Sequence, residues 1–197
     1  MLIIGTGGLA KDMVGSLARD FRHVPFYFYN DKSDENLFVN RYKVLHNETE
    51  VREYFTKVDN RFNAAIANPL IRERMNAKFR TYGGVLTTVL AMHENVSEFT
   101  EIAPGSIIQP DVVISSCVTV GEGCFFNCGT IIGHDVKIGK YVSFGPGVRI
   151  LGKVEIGDYS YIGCNAIITP GVKIGKKVRI GIGKIITEDV PDNSKIS

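Results

Sequence analysis

The sequence predicts an N-terminal α/β half domain of Rossmann type over residues 1–92 and an all-β, left-handed parallel β-helix over residues 93–197. Three observations carry this. From Ile102 the chain divides into fifteen six-residue units without an insertion, from IAPGSI to ITEDVP, and VSEFTE from Val96 reads as a sixteenth. Every unit opens on Ile, Val or Phe, and its fifth residue is Val, Ser, Thr, Ala or Cys except at Lys184. Ahead of the repeat, short apolar runs alternate with segments of helical period, the pattern of a parallel α/β sheet.

A period of six excludes an ordinary helix and suits a chain that makes a short strand, turns a corner and repeats. Three units close one triangular coil, and stacked coils pair their strands in parallel about 4.8 Å apart. The first residue of each unit fills the prism and the small fifth fits near the corner. Glycine holds the second position in eight of the fifteen units and is expected to ease the turns. This connection is a known exception to right-handed parallel crossovers.

In the N-terminal part, LIIG reads as a buried strand, TGG as a tight turn and LAKDMVGSLARDF as a helix. VPFYFYND follows as a second strand, and TEVREYFTKV as a helix that Thr49 would cap. FNAAIAN is a third strand. Asn68 would cap the helix PLIRERMNAKFRTY, with Pro69 at its first position. VLTTVLA would be a fourth strand leading into the β-helix.

Charge excludes some functions. Residues before Asn95 carry 13 basic and 11 acidic side chains, and those after it 10 and 10. Neither part has the basic patch expected of a nucleic-acid or membrane-surface binder. No apolar run reaches the roughly 20 residues that cross a bilayer. MLIIGTGG lacks the basic start of a signal peptide, so a cytoplasmic protein is expected. Cys117, Cys124, Cys128 and Cys164 form no CxxC pair and read as reduced, structural thiols.

Two places carry chemistry. Gly5, Gly7 and Ala10 fit G-x-G-x-x-[GA] between a strand and a helix, with Asn30 and Asp31 at the end of the next strand. About 92 residues supply one mononucleotide half, so a nucleotide or nucleotide-sugar suits the site better than a dinucleotide. A glycine turn serving only strand–helix packing is the plainer alternative. In the repeat, His134 is the one histidine, at the outward third position of IGHDVK. Asp135 beside it is placed to accept a hydrogen bond from the imidazole and raise its basicity. One coil on lies Gly152, whose surroundings offer a backbone N–H to an oxyanion, and then Pro170. A base and a donor without a nucleophile point to direct acyl transfer between two bound substrates. A zinc site of the kind held by three histidines is not available to a repeat with one.

IIGTGGLAK, FYND, IANP, the hexads with IIGHD and the late TEDVPDNS together resemble the sugar acetyltransferases that join a small nucleotide-sugar-binding domain to a left-handed β-helix. That group contains sialic acid O-acetyltransferases and UDP-4-amino-sugar N-acetyltransferases. The resemblance implies a homotrimer with acetyl-CoA in the groove between neighbouring β-helices, and no metal. It implies His134 as the base and Asp135 as its tuner. By position, Ser143, Gly152, Cys164 and Ile182 would line the acetyl-CoA path. Gly7, Gly8, Leu9, Asn30, Asp31, Asn68 and Pro69 would surround the sugar nucleotide. The expected reaction is acetylation of an amino group on a nucleotide-linked deoxy-sugar. O-Acetylation of a sialic acid or another sugar hydroxyl is the nearest alternative, and a non-catalytic trimeric scaffold a further one.

The chain departs from the pattern in the glycine turn, in the repeat, in the last coil and at the end. Leu9 and Ser143 stand where histidines are common in the group. Lys184 and Ile182 replace small residues, which implies a distorted last coil. PDNSKIS ends where relatives usually continue through a short G-x-P-A-K segment. Lys173, Lys176, Lys177, Arg179 and Lys184 lend the last coils a positive cast, suited either to CoA phosphates or to a solvated, pairing-resistant end.

Overall fold

A computed structural model of the chain describes residues 1–17, 25–91 and 95–197. The expected boundary at 92–93 lies outside these residues, as do the first predicted helix beyond Leu17 and the start of the second predicted strand.

The N-terminal sheet is built from β1 (Leu2–Ile4), β2 (Tyr27–Tyr29), β3 (Leu37–Phe38), β4 (Tyr42–Leu45), β5 (Arg61–Ala64) and β6 (Val85–Leu86), in the order β3-β4-β2-β1-β5-β6. All pairings are parallel except β3 with β4. β1 sits centrally and is buried on both faces, which is why it reads as an unbroken apolar run. Leu2 and Ile4 face a core shared with α2 (Glu48–Lys57) and α3 (Pro69–Thr81), where Phe55, Phe62 and Phe79 pack. Ile3 faces the other side, with Ala10 and Met13 of α1 (Gly8–Leu17) and, from the β-helix, Val89, Ile107 and Phe125. One apolar core therefore runs across the joint between the two folds.

Three sequence expectations change here. The cap of α2 is Asn47, not Thr49: its Oδ1 accepts the Glu50 N–H at 3.0 Å. Glu50 returns the contact, accepting from Asn47 Nδ2 at 2.7 Å and from the His46 N–H at 2.8 Å, a relative of the capping box in which the backbone donor is the residue before the cap. The hairpin of β3 and β4 was not expected, and it turns through Val39 and Asn40 at positive φ. The single strand expected over VLTTVLA is two. β6 pairs with β5, whereas Val89–Leu90 pairs with Ile107–Ile108 and begins the β-helix.

In the β-helix, each strand pairs in parallel with the one 18 residues on, as in Ile107↔Phe125, Phe125↔Ser143 and Ser143↔Tyr161. The first residues of the hexads form one continuous core from Ile108 to Ile186. Turning, however, is not the task of the second-position glycines. Positive φ falls on the fourth position, where Asp135, Tyr141, Lys153 and Lys177 adopt 55–60° or slightly more. The second-position glycines are there for clearance: a β-carbon on Gly163 would stand 2.7 Å from backbone atoms of Gly181 in the next coil. Lys184 keeps its coil in register, its carbonyl accepting the Ile167 N–H at 2.8 Å, so the distortion expected at that residue is absent. Irregularity comes later. Val190 bridges Ile174 and Lys195 pairs with Arg179, each 16 residues on instead of 18, so Val190 takes a first-position slot and ITEDVP is not a regular unit.

The outward sixth residues give each prism face its own character. The docking face (Val89, Ile107, Phe125, Ser143, Tyr161, Arg179) receives the N-terminal domain on its first strands. A charged face carries Glu101, Thr119, Lys137, Glu155 and Lys173. The third, apolar face carries Val113, Ile131, Arg149, Ile167 and Ile185, with Ile185 64% exposed.

Candidate active site

His134 and Gly152 stand at the corner between the apolar and charged faces. The strand Ile131–Ile132 delivers the chain to that corner, and the positive φ of Asp135 turns it. Because Ile132 and Val136 point inward and are fully buried, His134 is left outside with a 64% exposed side chain. Its Nδ1 lies 2.8 Å from Asp135 Oδ2. With Nδ1–H donating to the carboxylate, Nε2 is the free, basic nitrogen. The ring lies over Gly152, where a β-carbon would come within 2.7 Å of Nε2.

Gly152 also presents an uncommitted donor. At the corner between the charged and docking faces, the third-position N–H of Lys140 is capped by Asp158 Oδ1 at 2.8 Å, and that of Lys176 by Asp192 Oδ1 at 2.7 Å. Above Gly152 the equivalent residue is Pro170, and among the described residues nothing accepts the Gly152 N–H. A basic nitrogen and a free amide thus share one exposed corner.

The other residues expected on the cofactor path do not join them within the chain. Cys164 and Ile182 lie at the corner between the docking and apolar faces, so the apolar face separates them from His134. Ser143, expected on the acetyl-CoA path, instead points from the docking face into the domain joint and is 1% exposed. Its hydroxyl accepts from Arg72 Nη2 at 3.0 Å and donates to the Ala67 carbonyl at 3.1 Å, so it lines no open path. The basic residues of the last coils do not gather either. Lys173 lies 4.0 Å from Glu155, Lys176 lies 3.8 Å from Asp158, and Arg179 covers the Tyr161 ring. Of the four thiols, Cys124 is fully buried, and burial pushes it up to about 12. Cys117 and Cys128 are exposed, against the structural role expected of them.

A cleft of 350 Å³ opens at the carboxyl ends of β1, β2 and β5. The sheet order reverses there, with β2 on one side of β1 and β5 on the other, the place where open α/β sheets bind ligands. Gly5, Asn30, Asp31 and Ile66 line it together with Ile71, Arg74 and Lys78 of α3. Gly5 makes the turn at φ +103°, and Ala10 is fully buried on the inner side of α1. Asn30 Nδ2 donates to Thr6 Oγ1 at 2.7 Å, tying the glycine turn to the end of β2. Burial, with Asp31 adding to it, pushes the Tyr29 phenol up to about 12.

The remaining expected residues sit around this cleft or away from it. Gly7 and Gly8 are exposed at the start of α1, with open space where β-carbons would be. Asn68 is occupied as a cap, accepting from Leu70 and Ile71 N–H groups, and Pro69 opens α3. Leu9 is partly buried and packs against the core. Arg74 and Lys78, one helical turn apart on α3, were missed; their i, i+4 spacing beside the Asn68 cap was the available signal. A second cavity of 550 Å³ is lined by Thr6, Lys11 and residues 35–40.

Residues 1–79 match the PglD N-terminal domain, and residues 117–152 match the bacterial transferase hexapeptide (six repeats). The chain thus joins a region similar to the PglD N-terminal domain to a β-helix, part of which matches the hexapeptide-repeat model. It is 35% identical over 106 residues to the GDP-perosamine N-acetyltransferase of Escherichia coli O157:H7, a match covering 54% of this chain and about half, 47%, of that relative. WeeI from Acinetobacter baumannii AYE superposes with a TM-score of 0.90 at 26% identity, covering 100% of this chain and 95% of that one. A mutant perosamine N-acetyltransferase from Caulobacter crescentus, solved with CoA and GDP-perosamine, also gives 0.90, at 24% identity and coverage of 98% and 91%. The acetyltransferase domain of PglB from Neisseria gonorrhoeae FA1090, solved with acetyl coenzyme A, gives 0.89 at 22% identity, covering 98% and 93%. At these last two identities the likeness is one of fold. Among the described residues no cluster of His, Cys, Asp and Glu is arranged for a metal, and no helix is long and apolar enough to cross a membrane.

Proposed function

We propose that the chain is an acetyl-CoA-dependent N-acetyltransferase acting on the amino group of a nucleotide-linked sugar. The observation that carries this is the exposed corner where His134, oriented by Asp135, lies against Gly152, whose N–H has no acceptor among the described residues. The neutral amine attacks the thioester carbonyl, and the Gly152 N–H donates to the oxygen as it gains charge. His134 Nε2 takes the proton that the nitrogen sheds, while Asp135 stabilises the imidazolium. Collapse of the tetrahedral adduct breaks the C–S bond, and the imidazolium returns the proton to the departing CoA thiolate. An amide and CoA leave, and His134 is regenerated.

The cleft at the strand ends suits a sugar nucleotide, since Arg74, Lys78 and Lys32 line it and match a diphosphate. The relatives whose structures hold CoA with GDP-perosamine add support for this substrate class. The apolar face supports a homotrimer, because Val113, Ile131, Ile167 and Ile185 point outward from it. His134 and Gly152 border one edge of that face and Cys164 and Ile182 the other, so a copy packed on it would bring both sets to one groove for acetyl-CoA. Ile167→Glu then splits the assembly into monomers by light scattering. A cytoplasmic enzyme follows, since both substrates are cytoplasmic metabolites.

The test is incubation with acetyl-CoA and a panel of UDP-, dTDP- and GDP-linked amino sugars, with the product read by mass spectrometry. An N-acetylated sugar nucleotide supports the reading, and an acetyl ester on a sugar lacking an amine favours O-acetylation. No acetylated product with any panel member sinks it.

A further inference from the structure

Arg72 is fully buried, yet among the described residues no carboxylate pairs with it. Its guanidinium spans the two folds. Nη1 donates to the carbonyls of Ile66 at 2.7 Å and Ala67 at 3.0 Å, at the end of β5. Nε donates to the Gly123 carbonyl at 2.7 Å, and Nη2 to Ser143 Oγ at 3.0 Å, both in the β-helix. The Ala67 carbonyl takes a second bond from Ser143 Oγ at 3.1 Å. Burial pulls the guanidinium down to about 10, still well above neutral pH, so the group stays charged. Breaking such a buried, fully partnered cation is costly, and a fork of five donors is a geometry that lysine does not reproduce.

What the fork connects gives it a role beyond stability. Ile66 lines the sugar-nucleotide cleft, and Ala67 leads into the Asn68 cap of α3, whose Ile71, Arg74 and Lys78 form the cleft's far wall. On the other side, Ser143 lies nine residues after His134, within the same 18-residue coil. Arg72 therefore grips the coil that carries His134 and suspends the cleft from it. Copies arranged around an axis parallel to the prism hold equivalent coils at equal height. A cleft fixed to the His134 coil of its own chain is then level with the His134 of its neighbour.

We propose that Arg72 is a positioning residue that sets the height of the sugar-nucleotide cleft against the catalytic coil. This rests on the acetyltransferase reading. The test compares wild type with Arg72→Lys and the milder Ser143→Ala, assayed well below their melting temperatures. In Arg72→Lys kcat should fall about 100-fold, the cost of misplacing reactants by roughly 1 Å. Binding constants for acetyl-CoA and for the sugar nucleotide, measured by calorimetry, should stay at wild-type values. Ser143→Ala should move kcat in the same direction by less. An unchanged kcat in both variants, or a loss accounted for entirely by weaker binding, overturns the proposal. If the wild type acetylates nothing, the acetyltransferase reading fails separately. The suspension is then read by hydrogen exchange: the amides of Ile66, Ala67, Asn68, Leu70 and Ile71 must exchange faster in Ser143→Ala while the last coils stay unchanged, and equal exchange rejects it.

Discussion

A β-carbon on Gly152 would stand 2.7 Å from His134 Nε2, so the glycine is the floor on which the imidazole rests. Gly152 does not need positive φ, so an alanine fits its backbone. Gly152→Ala should therefore leave the melting temperature within a few degrees of wild type, because the exposed ring swings aside at little cost. Activity should fall about 10- to 100-fold, since the displaced Nε2 no longer meets the amine. Loss of both properties together would show that the glycine serves the coil and not the ring.

The joint between the folds carries a testable pH dependence. Arg80 donates to both oxygens of Glu122, at 2.9 and 2.8 Å, and the Tyr141 hydroxyl donates to Oε1 at 2.7 Å. The Arg80 contact, with Tyr141 assisting, holds the Glu122 carboxyl below its ordinary value. A folded value below the unfolded one means stability that is present above the unfolded glutamate value of about 4.3 and lost as pH falls through the lower folded value. At neutral pH Glu122→Gln should cost up to about 1 kcal/mol, a limit set by solvent screening of a partly exposed pair. Denaturation curves of the two proteins should converge as pH falls below 4.3, roughly the unfolded value. A difference that persists unchanged into acid would mean that the charge contributes nothing.

Glycines in the repeat should divide by position in the hexad. Gly163 holds a second position, and its β-carbon would meet the Gly181 backbone, which cannot yield. Gly163→Ala should destabilise by about 1–3 kcal/mol, the usual cost of overpacking. Gly129 holds a fourth position at φ +67° with open space around it. Asparagine adopts that φ and fills fourth positions elsewhere, as at Asn165, so Gly129→Asn should be close to neutral. Thermal melts of the two variants decide it, and equal losses would refute the division.

These contrasts mark what was legible in the sequence. The inward column from Ile108 to Ile186 was readable because one apolar residue every six is the direct imprint of a prism interior. The outward placement of His134 followed from the same count. The reason for the glycines was not readable, because a collision with the next coil and a left-handed turn demand the same residue. The cap at Asn47 was legible, since Glu50 stands three residues on, the spacing that marks Asn47 over Thr49. Ser143 was hidden for a different reason. Its hexad position says only that it points outward, and its burial depends on the N-terminal domain docking there through Arg72. The late shortening at Val190 is not legible in the sequence, because an isoleucine–valine spacing that fits one more hexad also fits a strand slot two residues early.

The most direct measurement is CoA release from acetyl-CoA in the presence of a nucleotide-linked amino sugar, comparing wild type with His134→Ala. Wild type should release CoA only when the amino sugar is present. His134→Ala should retain wild-type folding and lose about 100- to 10,000-fold in rate, the span supplied by a general base. Undiminished release by His134→Ala would contradict the account.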